Sequence, residues 1–184
     1  MKKLLLVNGD IATGKTHLAN ILKERFQLPL YTKDKIKEAL ADTYPYQTIE
    51  QNHLLSIMSM NMLYDKFIEE AEKGNDLILE ANFREEHLKR IDDAVNKYGY
   101  ESLNLNLVGD IKVLHERYVN RGQNEGRHPV HLVNNLFKYD DFAEYIAARQ
   151  KEKIYGKCIT INANNFDYQV DENLFKQIEE FLWK

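Results

Sequence analysis

The chain carries one cysteine, Cys158, in 184 residues. A lone thiol excludes an intramolecular disulfide framework and fits a reducing cytoplasm. Nowhere do apolar residues run for the roughly 18 positions that a membrane-spanning helix needs. The stretch Met1-Lys2-Lys3-Leu4-Leu5-Leu6-Val7 is too short for a secretory leader, so no signal peptide is expected. Positive charge is not in surplus: 25 Lys and Arg stand against 29 Asp and Glu, a net charge of −4. That balance argues against global attraction to nucleic acid and leaves only a local basic groove to provide one. The G-x-S-x-G elbow of serine hydrolases and the G-x-G-x-x-G fingerprint of Rossmann dehydrogenases are both missing. Internal repeats, low-complexity tracts and domain-splitting linkers are missing too. What remains is an ordinary globular composition, 43% hydrophobic and 29% charged, of a length that suits one domain over 1–184.

Against those absences, one segment stands out. Gly9-Asp10-Ile11-Ala12-Thr13-Gly14-Lys15-Thr16 reads G-x-x-x-x-G-K-[ST], the phosphate-binding P-loop. Its context is right. Leu4-Leu5-Leu6-Val7 before it reads as a buried parallel strand. After it, Leu18, Ile21, Leu22 and Phe26 recur at helical spacing. Gly9 and Gly14 permit backbone angles closed to other residues, so successive N–H groups can form a nest for an anion. The positive end of the following helix lies behind that nest. Lys15 adds a point charge for the β- and γ-phosphates, and the Thr16 hydroxyl is placed to ligate Mg²⁺. The candidate nucleotide-binding set is therefore Gly9 to Thr16, with His17 beside it in the first turn.

Further strands are predicted at Asp76–Asn82, Leu103–Val108 and Cys158–Ala163, with a shorter one at Leu28–Tyr31 that Pro29 limits. Helices are predicted at Lys33–Ala41, Ile49–Lys73, Glu85–Tyr98, Ile111–Arg121, His131–Lys151 and Asp171–Leu182. Gly74 and Gly99 stand where C-caps belong. Strand and helix alternate, which predicts an α/β fold with a largely parallel sheet.

Asp34 follows the short second strand and opens a helix, at the sheet edge where open α/β folds place ligands. A carboxylate there can orient an acceptor hydroxyl or take its proton; as a simple N-cap it would serve structure alone. Glu80 ends the strand after Leu77-Ile78-Leu79 and is a candidate to hold Mg²⁺ through water. Arg117 and Arg121 are four apart on one helix, and Arg127 follows in a glycine-flanked loop. Planar guanidinium donors suit the spread charge of a transferring phosphoryl group, and such a loop can close over ATP. Arg84 and Arg90 read as a solvated helix face, with Arg84 near enough to the strand end to reach a phosphate.

These features together resemble the small AAA-type group of P-loop kinases that includes chloramphenicol phosphotransferase, zeta toxins and polynucleotide-kinase domains. The resemblance spans nearly the whole chain and rests on Gly9–Thr16, the Asp34 segment, the strand ending Glu80-Ala81-Asn82 and the Arg117/Arg121 helix. It implies a three-layer P-loop NTPase fold, a five-stranded parallel sheet of order 2-3-1-4-5 flanked by helices, and a small helical lid near 117–131. It also implies ATP and Mg²⁺ as cofactors and transfer of the γ-phosphate to a hydroxyl of a small molecule. Lys15, Asp34, Arg117 and Arg121 would then be catalytic; Arg117, Arg121 and Arg127 would touch nucleotide; Thr16 and Glu80 would hold the metal. Two departures are visible: Ala12 where many members have Gly, and Glu80 where many have Asp. On resemblance alone, Asn162–Phe166 is the adenine contact. Two other readings stay open. One is a polynucleotide 5′-hydroxyl kinase using a groove of Lys112, Arg117, Arg121, Arg127 and His128; the other is an NTPase switch without an acceptor.

Other features carry less. His128-Pro129-Val130-His131 lacks neighbouring Cys or carboxylate ligands for a metal, and its place near the lid makes both rings candidates for substrate or phosphate contact. Leu54, Leu55, Ile57, Met58, Met60, Met62 and Leu63 form a wide apolar surface expected to pack in the core, with an adaptable substrate wall as the lesser reading. Tyr139, Tyr145 and Tyr155 either line a pocket or half-bury their rings. Cys158 opens a strand and is expected to be an inert buried thiol.

Overall fold

The structure, a computed structural model, describes residues 1–123, 127–132 and 138–183. Five strands form one parallel sheet in the order β2-β3-β1-β4-β5. They are β1 (Lys2–Gly9), β2 (Leu30–Thr32), β3 (Leu77–Glu80), β4 (Tyr100–Val108) and β5 (Lys157–Asn162). The helices are α1 (Lys15–Phe26), α2 (Lys33–Thr43), α3 (Ile49–Lys73), α4 (Glu85–Tyr98), α5 (Ile111–Gln123), α6 (Tyr139–Arg149) and α7 (Glu172–Trp183). This is the sheet order that the resemblance implies.

β1 shows why the sheet sits in the middle. Its apolar run is buried on both faces, as parallel strands under two helical layers must be. Leu5 and Val7 pack with Leu18 and Leu22 of α1 and with Phe175 and Ile178 of α7. Leu4 and Leu6 pack with Leu63 and Phe67 of α3 and Ile91 of α4. Alternate side chains of one strand thus anchor opposite layers. Gly74 and Gly99 close α3 and α4 in the left-handed region, at φ 72° and 68°.

Two expectations need correction. The helix expected over 131–151 does not begin at His131, which ends a 3₁₀ turn, Pro129–His131; among the described residues the helix starts at Tyr139. Within that turn the His128 ring nitrogen accepts the Val130 N–H and supports the tight geometry. Cys158 is exposed, not buried. β5 is an edge strand, and the α3–α4 layer covers β1 and β3 but not β5, so Cys158, Thr160 and Asn162 meet solvent.

The apolar surface of α3 divides. Leu55, Met60 and Leu63 are buried, while Leu54, Ile57, Met58 and Met62 are exposed. Of the 117–131 lid segment, residues 124–126 lie outside the described residues.

Candidate functional site

The carboxyl ends of β1, β2 and β3 converge. The parallel register sets Glu80 beside Val7 on one side and Thr32 on the other. The P-loop leaves β1 at Gly9, whose φ is 136°. A Cβ there would stand 2.1 Å from the Leu107 carbonyl oxygen, so only glycine fits. Asp10 N–H then donates to that same oxygen at 2.9 Å. Ala12 lies in the left-handed region at φ 63°, which costs a non-glycine residue about 1 kcal/mol and accounts for glycine being common there. Its methyl packs with Leu114, Tyr118 and Phe142, which offsets part of that cost.

The loop is held from inside and from behind. Thr13 Oγ1 and Lys15 Nζ both donate to the Asp10 carbonyl, at 2.8 and 2.5 Å. Tyr168 donates its hydroxyl to the Thr13 carbonyl at 2.6 Å. No side chain caps α1, because Gly14 stands at its N-cap; His17 N–H turns back to the Gly14 carbonyl at 3.0 Å, and the Lys15 and Thr16 N–H groups at the helix start can face an anion. Tyr168 carries no sequence signal of this role; it comes from a 3₁₀ turn, Asp167–Val170, far along the chain.

Lys15, Asp34 and Glu80 form one electrostatic group. Burial pushes the Lys15 amine down, while Glu80 and Asp34 pull it back up. Burial pushes the Glu80 carboxyl up, against the opposing charge of Lys15. For Asp34, burial raises the carboxyl, but His131, Lys33, Lys15 and Arg121 together outweigh it and hold it below the usual carboxylate value. Asp34 therefore stays ionised at neutral pH, in the first turn of α2 after the Thr32 cap. Arg121 acts on both Asp34 and Glu80. Arg127 feels Asp34 and Glu38, and its buried Nε has no partner among the described residues.

Thr16 Oγ1 donates to Glu80 Oε2 at 3.3 Å. One hydroxyl and one carboxylate are hard oxygen donors, and among the described residues no group of three or more His, Cys, Asp or Glu could hold a metal. That pair suits a hard cation such as Mg²⁺, which would need further oxygen ligands from water or a bound ligand.

Arg117 stands apart from this group. Its guanidinium donates to the Ala163 and Asn164 carbonyls at 2.5 and 2.6 Å and lies 4.2 Å over the Phe166 ring. It thus joins α5 to the Asn162–Phe166 loop at the rim beside Gly14. His128 is paired with Asp42 at 3.1 Å. Arg84 is bound to Glu152, and Arg90 lies over Tyr64 and donates to Asn61.

A residue that the sequence reading passed over is central to the loop. Arg149, at the end of α6, donates to the Phe83 carbonyl at 2.7 Å, to Asn8 Oδ1 at 2.8 Å and to the Gly9 carbonyl at 3.0 Å. Its Nε stands 3.5 Å from Asp10 Oδ1, and both side chains are almost fully buried. Gln150 Nε2 takes the other Asp10 oxygen at 2.6 Å. The Asp10 carboxylate is thereby committed to α6. An arginine in the last turn of a polar helix looks like any solvated one, so no local pattern marks it.

Beside this group opens a cleft of about 990 Å³, lined in part by Ile11 of the P-loop, Lys33, Ile57, Asn82, His87 and Tyr145. Ile11 belongs to the Gly9–Thr16 loop and Lys33 feels the charges of Asp34 and Glu80, so the cleft wall shares residues with the loop and with this charged group.

No protein-family model matches the chain, and no curated protein does. Solved structures do. A "putative kinase" from Chloroflexus aurantiacus J-10-fl superposes with a TM-score of 0.83 at 26% identity, covering 100% of this chain and 99% of its own. A sugar kinase from Janibacter sp. HTCC2649 reaches 0.61 at 17% identity over 97% and 95% of the two chains. Shikimate kinase from Bacteroides thetaiotaomicron reaches 0.57 at 15% over 98% of each. The chain has the P-loop NTPase fold. Within it, the loop at Gly9–Thr16 joins β1 to α1.

Proposed function

We propose that the chain, as a single domain over 1–184, is an ATP-dependent phosphotransferase that moves the γ-phosphate to a hydroxyl of a small molecule. The observation that carries this reading is the shared wall between phosphate site and cleft. A nucleotide switch needs a phosphate site alone. Here a cleft large enough for a small substrate adjoins it, and Asp34 follows the cleft-lining Lys33 directly. The likeness to solved kinases, with 26% identity over the full length of one, supports it.

In this reading the P-loop N–H groups and Lys15 hold the triphosphate. Thr16 and Glu80 hold Mg²⁺, which when bound offsets charge on the β- and γ-oxygens. Asp34 orients the acceptor hydroxyl and takes its proton as the new O–P bond forms. The bond from the γ-phosphorus to the β–γ bridging oxygen breaks, and ADP leaves. Arg121, and Arg127 beside it, stabilise the charge that spreads over the transferring group. Arg117, stacked on Phe166, serves the nucleotide at the rim instead of the γ-phosphate. The small-molecule reading is favoured over a polynucleotide groove because Arg117 and His128 are already committed, to the Asn162–Phe166 loop and to Asp42.

The test is ADP release from Mg·ATP, alone and with a panel of nucleosides, sugars, alcohols and 5′-hydroxyl oligonucleotides. Lys15→Ala is expected to lower acceptor-dependent release by about 100-fold or more. Asp34→Asn is expected to bind ATP normally yet lose about 100-fold in acceptor-dependent turnover. Full activity in Asp34→Asn would remove Asp34 from the mechanism. Stoichiometric ATP binding with no release for any acceptor would replace the enzyme with a switch.

A further inference from the structure

Asp34 and Glu38 lie one turn apart on α2, so their carboxylates share a face. The 3₁₀ turn Pro129–His131 docks beside that face. His131 Nε2 donates to Glu38 Oε1 at 2.9 Å, and its side chain is only 9% exposed. The backbone that carries it is fixed. Val130 is buried against Leu40, Ala41 and Leu55. The Val130 carbonyl accepts from Asn52 Nδ2 at 2.9 Å, and Asn52 Oδ1 accepts from the buried Lys37 amine, also at 2.9 Å. One residue pair further along, His128 meets Asp42. The turn is therefore pinned to both α2 and α3, and the His131 ring has little freedom to leave.

The charges acting on that ring come from two elements: Asp34 and Glu38 on α2, and Arg127 on its own segment. The His128 ring lies 6.3 Å away. With Nε2–H held by Glu38, a neutral ring has Nδ1 as its remaining acceptor. Protonation turns Nδ1 into a donor and places a positive charge beside Asp34. We propose that His131 is a positioning residue for Asp34: neutral, it braces Glu38 and leaves Asp34 free for the acceptor, and protonated, it captures the Asp34 carboxylate. The inference rests on the phosphotransferase reading for the role of Asp34.

Burial keeps the imidazole neutral until the solution is more acid than a free histidine requires, while Asp34 and Glu38 oppose that effect. Asp34 itself is held ionised below the usual carboxylate value. Capture of Asp34 by the imidazolium makes the acid limb of turnover depend on His131. A histidine that merely fills space would not set that limb.

The experiment is a pH titration of the His131 imidazole by NMR in the full-length chain without nucleotide. His131→Gln assigns the signal, and His128→Gln serves as the control pair. In Asp34→Asn the midpoint is expected to fall by about 0.5 pH or more, because an anion that favours the imidazolium is gone. Asp34→Ser reads the same contact should the amide disturb the start of α2. A midpoint unmoved in both variants overturns the proposal. A second reading follows the acid limb of ADP release, which His131→Gln should carry to lower pH by a similar margin; an unchanged limb overturns the gating role. The titration uses neither ATP nor acceptor. Failure of phosphoryl transfer would leave its outcome intact, and failure of the His131 coupling would leave Lys15-dependent turnover intact.

Discussion

Arg149 shows how much one side chain can carry. Its guanidinium meets the end of β1, the P-loop start and the Phe83 carbonyl at once, and balances the buried Asp10 carboxylate. Burial lowers its affinity for a proton, but an arginine remains charged. Removing it leaves the buried Asp10 carboxylate without its cation and takes a donor from the Phe83 and Gly9 carbonyls, while Asn8 Oδ1 keeps the Phe83 N–H. Arg149→Ala is therefore expected to cost about 3–5 kcal/mol, as breaking buried pairs does. Arg149→Lys should recover only part of that, since one ammonium cannot span the same fork. Urea unfolding measures both; a loss under about 1 kcal/mol for the alanine variant would mean that Asp10 finds other partners.

Between elements, the α2–α3 contact contains its own titration. Lys37 is 3% exposed and donates to Asn52 Oδ1. Burial, aided by Lys33 and Arg127, pushes its amine down to about 8, while Asp34 opposes. The unfolded chain holds that proton to the ordinary lysine range. Between pH 8 and 10.5 the unfolded state thus binds more protons than the folded one, and stability rises with pH. The full gain from this one group is about 3 kcal/mol. Lys37→Met should flatten the rise between about pH 8 and 9.5, a window below ordinary tyrosine ionisation. At pH 7 the variant removes a costly buried cation but strands Asn52 Oδ1, so the net change is expected within about 1 kcal/mol of zero. Unfolding curves at several pH values separate these two effects.

For the whole molecule, the open carboxyl edge is where a ligand would add most. Lys15 folds back on the Asp10 carbonyl, and α1 begins without a side-chain cap. A triphosphate that binds only the folded chain stabilises it by about 2.7 kcal/mol at a hundred times its Kd. In a domain of this size that raises Tm by roughly 5–10 °C. Calorimetry with Mg·ATP should show the rise in the wild-type chain and its loss in Lys15→Ala. A rise of the same size in Lys15→Ala would place the ligand elsewhere.

Features that depend on neighbours along the chain could be read from the residues alone. The β1–loop–α1 unit is local, because strand, glycines and helix are contiguous, and its conformation was legible at once. The ends of α3 and α4 were legible for the same reason, since Gly74 and Gly99 act on the turn they close. Asp34 and Glu80 were legible as strand-end carboxylates, a position that parallel topology alone brings to one edge. The partners of long side chains, by contrast, were fixed by folding. That Arg117 donates to the Ala163 and Asn164 carbonyls and lies over Phe166 depends on the Asn162–Phe166 loop folding beside α5. Arg149 carries no mark in the sequence, and its partners come only when β1 and Asp10 close around it. Cys158 reads as buried until β5 proves to be an edge. Each outcome depends on which distant segment arrives, and apolar periodicity fixes which face is buried but not what a polar side chain will meet there.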